Sequence, residues 1–391
     1  MSSNKLQYFE GIRGLAALIV VFHHLDFVLS LNLDTKVFNF IYNLSGFETL
    51  SNISQSIFSF FLNGNLAIFT FFFMSGYVIS IKLFTGNSKT YLISAISKRY
   101  FRLMPPILGS ILISFFLMKF NLIYNIELST VLGTENTLGY FYNFNPSFLS
   151  AFKSGVWNVL FTTNRAGYNG PLWTMMPEFY GSLLCFLTFI IFNRIKKRHY
   201  IYIIILLTSL LIKTPWITSF ILGFLICDLD YSTNWLKHLS KLTQKYIFTF
   251  TTLSVILCIS IIIIDKITGF NKWPYSNTIT SFLLVFITMK SKGLQKIFQL
   301  KPFLWLGKIS FSVYLLHWPI LCSLTSYIYL STGLSRNLNI LISSTFTLVF
   351  IFLTSSLYTK FIDQKSIIVA RKIGELVKNK LFSHLNKLNI D

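Results

Sequence analysis

Ten separate stretches of the chain have the apolar character of segments that cross the hydrocarbon core of a membrane, which is about 30 Å thick. They lie at residues 12–30, 60–81, 103–120, 172–192, 200–213, 215–228, 246–264, 275–289, 309–328 and 338–358. The fifth and sixth are short and nearly continuous, which predicts a tight helical hairpin. Only 12% of the residues are charged, about half the share in soluble domains, and this excludes an ordinary globular enzyme. Because a spanning segment must satisfy its own backbone hydrogen bonds, we predict an all-α polytopic membrane bundle of about ten helices.

The basic residues are distributed over alternate loops. If the N-terminus is inside, the inner loops carry most of the 34 Lys and Arg, whereas the outer loops hold few charges of mixed sign. This is the positive-inside pattern, and an even number of spans then predicts that both termini are cytoplasmic. Topology and contact with anionic membrane lipid account for the formal net charge of +21, so we expect no nucleic-acid partner.

The domain organisation that we predict is simple. Residues 1–362 form one integral-membrane domain and residues 363–391 a short basic cytoplasmic tail, and the sequence has no internal repeat. The first span contains Arg13, His24 and Asp26 in its apolar region, so we expect it to be retained and not cleaved as a signal peptide. The cysteines show no metal-binding spacing, and we predict neither a metal site nor a disulfide framework.

Two ionisable residues of the first span share one helix face. Arg13 and His24 are 11 residues apart, which is about three turns plus 20°, with His24 about 17 Å deeper. Ionisable groups inside a membrane usually face a cavity or a partner and mark function. The alternatives are that Arg13 snorkels to the inner boundary and that His24 is a hydrogen-bonded packing residue.

Glu178 and His317 are the corresponding residues of two other spans. Counting along the predicted helices places Glu178 about 9 Å below the outer boundary and His317 about 12 Å above the inner one. Three separate helices therefore bring a proton-handling group near the middle of the bilayer. This pattern predicts a reaction centre or a proton path.

Arg99 and Arg102 lie one helical turn apart at the cytoplasmic mouth of the third span, next to Lys98. The chain uses 26 Lys and only 8 Arg, so arginine at these positions indicates a need for planar, bidentate hydrogen bonding, as in phosphate recognition. The alternative is that the two arginines are only topology charges. Since no glycine-rich nucleotide motif is present, this cluster is the predicted site for a phosphate-bearing donor.

The long outer loop, about residues 121–171, is rich in aromatic and amide side chains, notably Tyr140, Phe141, Tyr142 and Asn143. Aromatic faces with neighbouring amides suit sugar rings. An amphipathic segment that lies on the outer interface of the membrane fits the same composition.

Five segments, in chain order, resemble the motifs of the integral-membrane acyltransferase type 3 family. They are FEGIRGLAALIVVFHH at 9–24, FFFMSGYVIS at 71–80, SKRYFRLMPP at 97–106, NGPLWTMMPE at 169–178 and ISFSVYLLHWP at 309–319. In that family an Arg precedes an essential His by eleven positions, as Arg13 precedes His24. Met175 and Met176 depart from the usual family pattern, which we expect to alter packing beside Trp173 and not the chemistry.

The resemblance implies transfer of an acyl group, most often acetyl from acetyl-CoA, to extracytoplasmic carbohydrate. The chain would then lie in the inner membrane of a bacterium and use acetyl-CoA as a substrate, with no permanently bound cofactor. Its acceptor would be a cell-surface polysaccharide, such as an O-antigen, or a lipid-linked glycan. The implied site residues are His24 as the central catalytic group, Arg13 as its support, Glu178 and His317 as further motif residues, and Arg99 and Arg102 at the acetyl-CoA site.

Two functions compete at this point. In the first, the phosphates of acetyl-CoA bind at Arg99 and Arg102 while His24 acts as a general base on the acceptor hydroxyl or as a transient acetyl carrier. Glu178 would orient or deprotonate the acceptor from the outer side. In the second, the chain is a transporter or flippase that uses the buried His and Glu for proton coupling, but it lacks the inverted repeat typical of such proteins.

Overall fold

The computed structural model describes residues 4–46, 51, 54–55, 58–59, 61–86, 88–162, 167–232 and 275–387. The regular elements in these residues are all helical and include no β-strand, which confirms the all-α fold. Within these described residues, six helical stretches are long and apolar enough to cross a membrane: Gln7–Val28, Gly64–Thr85, Tyr91–Lys119, Gly170–Phe192, Lys301–Ser331 and Arg336–Lys380. The protein is therefore a polytopic membrane bundle.

Most of the predicted spans coincide with helices. The helices are α1 (Asn4–Val28), α2 (Leu33–Ser45), α3 (Gly64–Thr85), α4 (Ser88–Lys119), α5 (Asn125–Leu132), α6 (Phe148–Lys153), α7 (Met175–Phe192), α8 (Arg198–Leu211), α9 (Pro215–Ser232), α10 (Ser276–Lys290), α11 (Lys292–Phe298), α12 (Lys301–Ile320), α13 (Ser326–Ser331), α14 (Arg336–Tyr358) and α15 (Gln364–Lys387). Nine of the ten predicted spans fall on them, and α8 and α9 are the predicted hairpin. The remaining span, 246–264, lies outside the described residues.

The chain divides into two compact units. The first comprises residues 1–20, 32–92 and 180–307, and the second comprises residues 21–31, 93–179 and 308–391. In the first unit, α3 packs on α9 and α10. The core there contains Phe9, Phe73, Tyr77 and Val285, and the buried Tyr77 hydroxyl donates to Asp230 at 2.6 Å.

The backbones of α1 and α12 touch in the first unit at two glycines of the sequence motifs. A Cβ atom on Gly14 would lie 2.6 Å from the amide nitrogen of Gly307, and a Cβ on Gly307 would lie 2.1 Å from the carbonyl oxygen of Glu10. Both distances are below any real Cβ contact, so this crossing requires glycine. Small residues allow the close helix approach that membrane bundles use for van der Waals packing.

In the second unit, the chain continues as helix beyond the last predicted span. A π-helical turn, Thr359–Asp363, connects α14 to α15 without a break. Ser366 and Ala370 of α15 are buried, and a Cβ on Gly374 would lie 2.7 Å from the Ser94 hydroxyl. The beginning of the predicted basic tail is therefore packed against α4.

Candidate active site

A proline in α12 fixes the segment that precedes α7. Pro319 has no N–H, so the carbonyl of Leu315, four residues earlier, loses its usual helical donor. The side-chain nitrogen Nδ2 of Asn169 donates to this carbonyl instead, at 2.8 Å, and Asn169 is buried. The segment around Asn169 is thereby held at the middle of the continuous helical stretch Lys301–Ser331.

Tyr314 holds the same segment at a second point. Its hydroxyl donates to the carbonyl of Pro171 and lies 2.6 Å from the hydroxyl of Thr174. The helix α7 starts at the next residue, Met175. Tyr314 therefore determines the level along α12 at which α7 begins.

The histidines of the first and ninth predicted spans form a hydrogen-bonded pair in the second unit. Nε2 of His317 lies 3.2 Å from Nδ1 of His24. His317 is completely buried, whereas His24 is half-buried and the preceding His23 is exposed. Two of the three groups that were predicted near the bilayer middle are thus in direct contact.

The hydrogen bonds determine which ring nitrogen of each histidine carries the proton. Nδ1 of His317 lies 3.1 Å from the carbonyl oxygen of Val313, which can only accept, so Nδ1 carries a proton. In a neutral His317 ring, Nε2 then holds a lone pair and accepts the proton on Nδ1 of His24. The neutral His24 ring is left with its lone pair on Nε2, the nitrogen that a general base or a nucleophile uses.

Aromatic rings line the site beside His24. The ring centroid of Trp318 lies 5.2 Å from that of His24, 4.6 Å from that of Phe141 and 6.2 Å from that of Phe27. Trp318 is buried and Phe27 is 37% exposed. Phe141 belongs to the aromatic loop that the sequence predicts on the outer side, and this loop contributes a wall to the site, whereas the neighbouring Tyr140 is exposed.

Arg99 and Glu178 form an ion pair. Nη2 of Arg99 lies 2.6 Å from Oε1 of Glu178, and each side chain is 16% exposed. The sequence predicted Glu178 about 9 Å below the outer boundary and Arg99 at the opposite mouth of a span, yet the two side chains are in contact. The reason is that the segment before α7 is held at the middle of the helical stretch Lys301–Ser331, so α7 starts well inside the second unit.

Arg102 has a carboxylate partner that the sequence interpretation missed. Its Nη1 lies 2.6 Å from Oδ1 of Asp363 and 3.2 Å from the hydroxyl of Ser366. The guanidinium also lies over the ring of Phe311, 5.1 Å from its centroid. Asp363 was assigned to the basic tail, and a single carboxylate after the last span gave no signal of a partner in α4.

The spacing of residues along α12 gives the distance between the arginine region and the histidine pair. Phe311, Tyr314 and His317 are three residues apart, which corresponds to a rise of about 4.5 Å for each step. Phe311, whose ring the Arg102 guanidinium overlies, is therefore about 9 Å along the helix axis from His317. Lys98 is half-buried near α15, where a Cβ on Gly374 would lie 3.4 Å from the Lys98 Cβ.

Arg13 belongs to the first unit. There its Nη1 lies 3.3 Å from Oε1 of Glu10, and the two side chains are 37% and 47% exposed. Support of His24 by Arg13 stays a prediction.

Asn169 and Trp318 complete the site although neither was selected from the sequence. The signal that points to Asn169 is Pro319, because a proline within a membrane helix leaves a carbonyl that needs another donor. Within the described ranges, no three His, Cys, Asp or Glu side chains are grouped to hold a metal ion. The site is thus built from imidazole, aromatic rings and two arginine–carboxylate pairs.

Comparison with known protein families gives one match. A family model described as an acyltransferase domain matches residues 6–359, nearly the whole chain. The match includes His24, Arg99, Glu178 and His317. No curated protein and no solved structure matches the chain. The chain is therefore a membrane acyltransferase and belongs to the acyltransferase type 3 family.

Proposed function

We propose that the protein transfers an acetyl group from acetyl-CoA to a hydroxyl of a cell-surface polysaccharide or lipid-linked glycan. It would act from the inner membrane of a bacterium, with acetyl-CoA on the cytoplasmic side and the acceptor on the other. The observation that carries the proposal is the pair of His24 and His317, 3.2 Å apart, in a chain of an acyltransferase family.

The histidine pair supports the chemistry of acyl transfer. With the proton on Nδ1 directed to His317, Nε2 of His24 takes the proton of the acceptor hydroxyl as its oxygen attacks the thioester carbonyl. The C–S bond then breaks, and the CoA thiolate leaves and is protonated. In the alternative, Nε2 itself attacks the thioester and carries the acetyl group to the acceptor. Both routes require the same neutral tautomer of His24.

The arginines are the proposed site of the CoA phosphates, with Lys98 beside them. Arg102 overlies Phe311, which is about 9 Å along α12 from His317, a separation that an extended pantetheine arm can bridge. Glu178 is paired with Arg99, which supports a role in positioning that guanidinium and not in activating the acceptor. Arg13 would support His24, as the resemblance implies. The basic inner loops support the cytoplasmic assignment of this side.

The test of the proposed function is acetyl transfer itself. Membranes that contain the protein are incubated with radiolabelled acetyl-CoA, and the extracted glycan is counted and analysed by mass spectrometry. We expect acetyl groups on the glycan that are missing when the chain is deleted. Normal glycan acetylation with impaired glycan export in the deletion strain would instead indicate a transporter.

Replacing His317 by phenylalanine is expected to lower acyl transfer about 100-fold. The aromatic packing is retained, but His24 loses the acceptor that fixes its tautomer, and loss of such an orienting partner in hydrolytic triads costs 100-fold or more. A His317→Gln variant provides the control because its amide oxygen can accept from Nδ1 of His24. We expect partial recovery in this variant, measured as the rate of acetyl transfer at saturating acetyl-CoA. Equal rates for the two variants would contradict the orienting role.

A further inference from the structure

Two polar atoms beside the histidine pair are buried without a hydrogen-bond partner among the described residues. They are Nε1 of Trp318, a donor, and Oδ1 of Asn169, an acceptor. The hydrogen bond between Asn169 and Leu315 identifies the unpartnered atom of Asn169 as its oxygen, because the nitrogen must face the Leu315 carbonyl. Buried polar atoms almost always have partners, and the exceptions call for an explanation.

Both atoms belong to the region where the segment of Asn169 and Gly170 packs against α12. Asn169 binds the carbonyl of Leu315, one helical turn before Trp318. A Cβ atom on Gly170 would lie 3.6 Å from Cε2 of Trp318, the ring carbon bonded to Nε1. The residue after Asn169 therefore passes directly beside the unpartnered N–H. Both unpartnered atoms therefore belong to one contact, between the segment of Asn169 and Gly170 and the helix that carries Trp318.

The surroundings of these atoms are aromatic and lead to His24. The ring of Trp318 contacts His24 and Phe141. Phe141 is half-buried and Phe27 is partly exposed, so these two rings form the accessible side of the cluster. Their faces suit the C–H surface of a sugar ring, and their position places such a ring next to the catalytic imidazole.

We propose that Trp318 and Asn169 bind a second hydroxyl of the acceptor ring, adjacent to the hydroxyl that is acetylated. Nε1–H of Trp318 donates to this hydroxyl, which in turn donates to Oδ1 of Asn169, while the ring lies against Phe27 and Phe141. The proposal rests on the proposed function and adds the acceptor class, a ring with neighbouring hydroxyls. The reacting hydroxyl is then presented to Nε2 of His24.

A hydroxyl fits Nε1 of Trp318 and Oδ1 of Asn169 better than the thioester carbonyl does, the other polar group that the reaction provides. The thioester carbonyl and the oxyanion formed from it only accept hydrogen bonds, and the carbonyl oxygen of Asn169 would repel either of them. A hydroxyl accepts and donates at once. A site that binds a substrate hydroxyl in this way strongly rejects an analogue that lacks it, because its own polar groups are then left unpaired.

The test uses purified protein in liposomes, radiolabelled acetyl-CoA and deacetylated glycan extracted from cells that make the acceptor. Trp318→Phe removes the N–H and keeps an aromatic ring. Gly170→Ala adds a methyl group 3.0 Å from Cε1 of Phe141 and 3.6 Å from Cε2 of Trp318, without removing a side-chain donor or acceptor. Trp305→Phe, at a tryptophan that is 45% exposed in the same helix, is the matched control. The half-saturating concentrations of glycan and of acetyl-CoA are measured separately.

We expect Trp318→Phe and Gly170→Ala to raise the half-saturating glycan concentration about 10- to 100-fold and to leave the half-saturating acetyl-CoA concentration unchanged. In the control Trp305→Phe, both concentrations stay unchanged. A lower maximal rate at unchanged half-saturation would overturn the proposal, since Trp318 would then act on the reacting carbonyl. Unchanged kinetics would overturn it too, because the two atoms would then hold only a water molecule. If wild-type protein transfers no acetyl group, it is the proposed function that fails.

Discussion

Replacing His24 by alanine is expected to reduce acetyl transfer by at least 100-fold while the protein still accumulates in the membrane. A positioned general base contributes about 100- to 10,000-fold to a rate, and a covalent carrier cannot be replaced at all. The side chain is only half-buried and His317 keeps its bond to Val313, so we expect the helices to stay packed. The measurement is the initial rate of radiolabelled acetyl incorporation into glycan, normalised to the amount of protein.

The matched control for this variant is the neighbouring residue. His23 is the same residue type on the same helix, but it is exposed and points about 100° away from His24. We expect His23→Ala to retain activity within about threefold. More than a tenth of the wild-type rate in His24→Ala would remove His24 from the chemistry.

The two mechanisms open to His24 can be separated with the same reagents. In the absence of glycan, a carrier accumulates one acetyl group on Nε2, whereas a general base leaves the protein unlabelled. Rapid denaturation after mixing with radiolabelled acetyl-CoA, followed by peptide mapping, detects the adduct. We expect any label to disappear in His24→Ala and to remain in His23→Ala.

The helices and the kind of chemistry could be predicted from sequence because both depend on local information. Each membrane helix satisfies its own backbone, so an apolar run of sufficient length is enough to identify it. Counting residues along such helices predicted His24 and His317 at similar depths, and the two side chains are in contact in the structure. Their hydrogen bond could not be predicted, since it depends on how two helices pack and rotate against each other.

The position of Glu178 shows where counting along the chain fails. The prediction assumed that the fourth span begins at the outer boundary of the membrane. Instead, Asn169 and Pro171 are held by Leu315 and Tyr314, so the helix that carries Glu178 starts beside the middle of the helical stretch Lys301–Ser331. The cause is a long-range effect of Pro319, whose missing N–H creates the acceptor for Asn169.

The pairing of Arg102 with Asp363 leads to the second prediction. Arg102→Met alone is expected to destabilise the protein by about 3 kcal/mol, because it leaves the Asp363 carboxylate, 7% exposed, without its partner. We therefore expect little monodisperse protein and a lower melting temperature in detergent. Loss of activity in this variant would not distinguish a phosphate-binding arginine from a purely structural one.

The double variant Arg102→Met/Asp363→Leu makes this distinction. Replacing both members of a buried ion pair by apolar residues is often neutral or stabilising, so we expect the melting temperature to recover. Hydrogen bonds to charged groups contribute about 1.5–3 kcal/mol. If Arg102 also binds a phosphate of CoA, the half-saturating acetyl-CoA concentration stays raised about 10- to 100-fold in the recovered protein.

A second ion pair of the same chain supplies the control. Arg198 contacts both oxygens of the buried Asp228, at 2.6 and 2.7 Å, in the first unit. We expect Arg198→Met/Asp228→Leu to leave the half-saturating acetyl-CoA concentration unchanged, because no role in donor binding is proposed for this pair. If the Arg102 and Asp363 double variant likewise binds acetyl-CoA normally, Arg102 only joins α4 to the turn before α15, and Arg99 becomes the single arginine assigned to the donor.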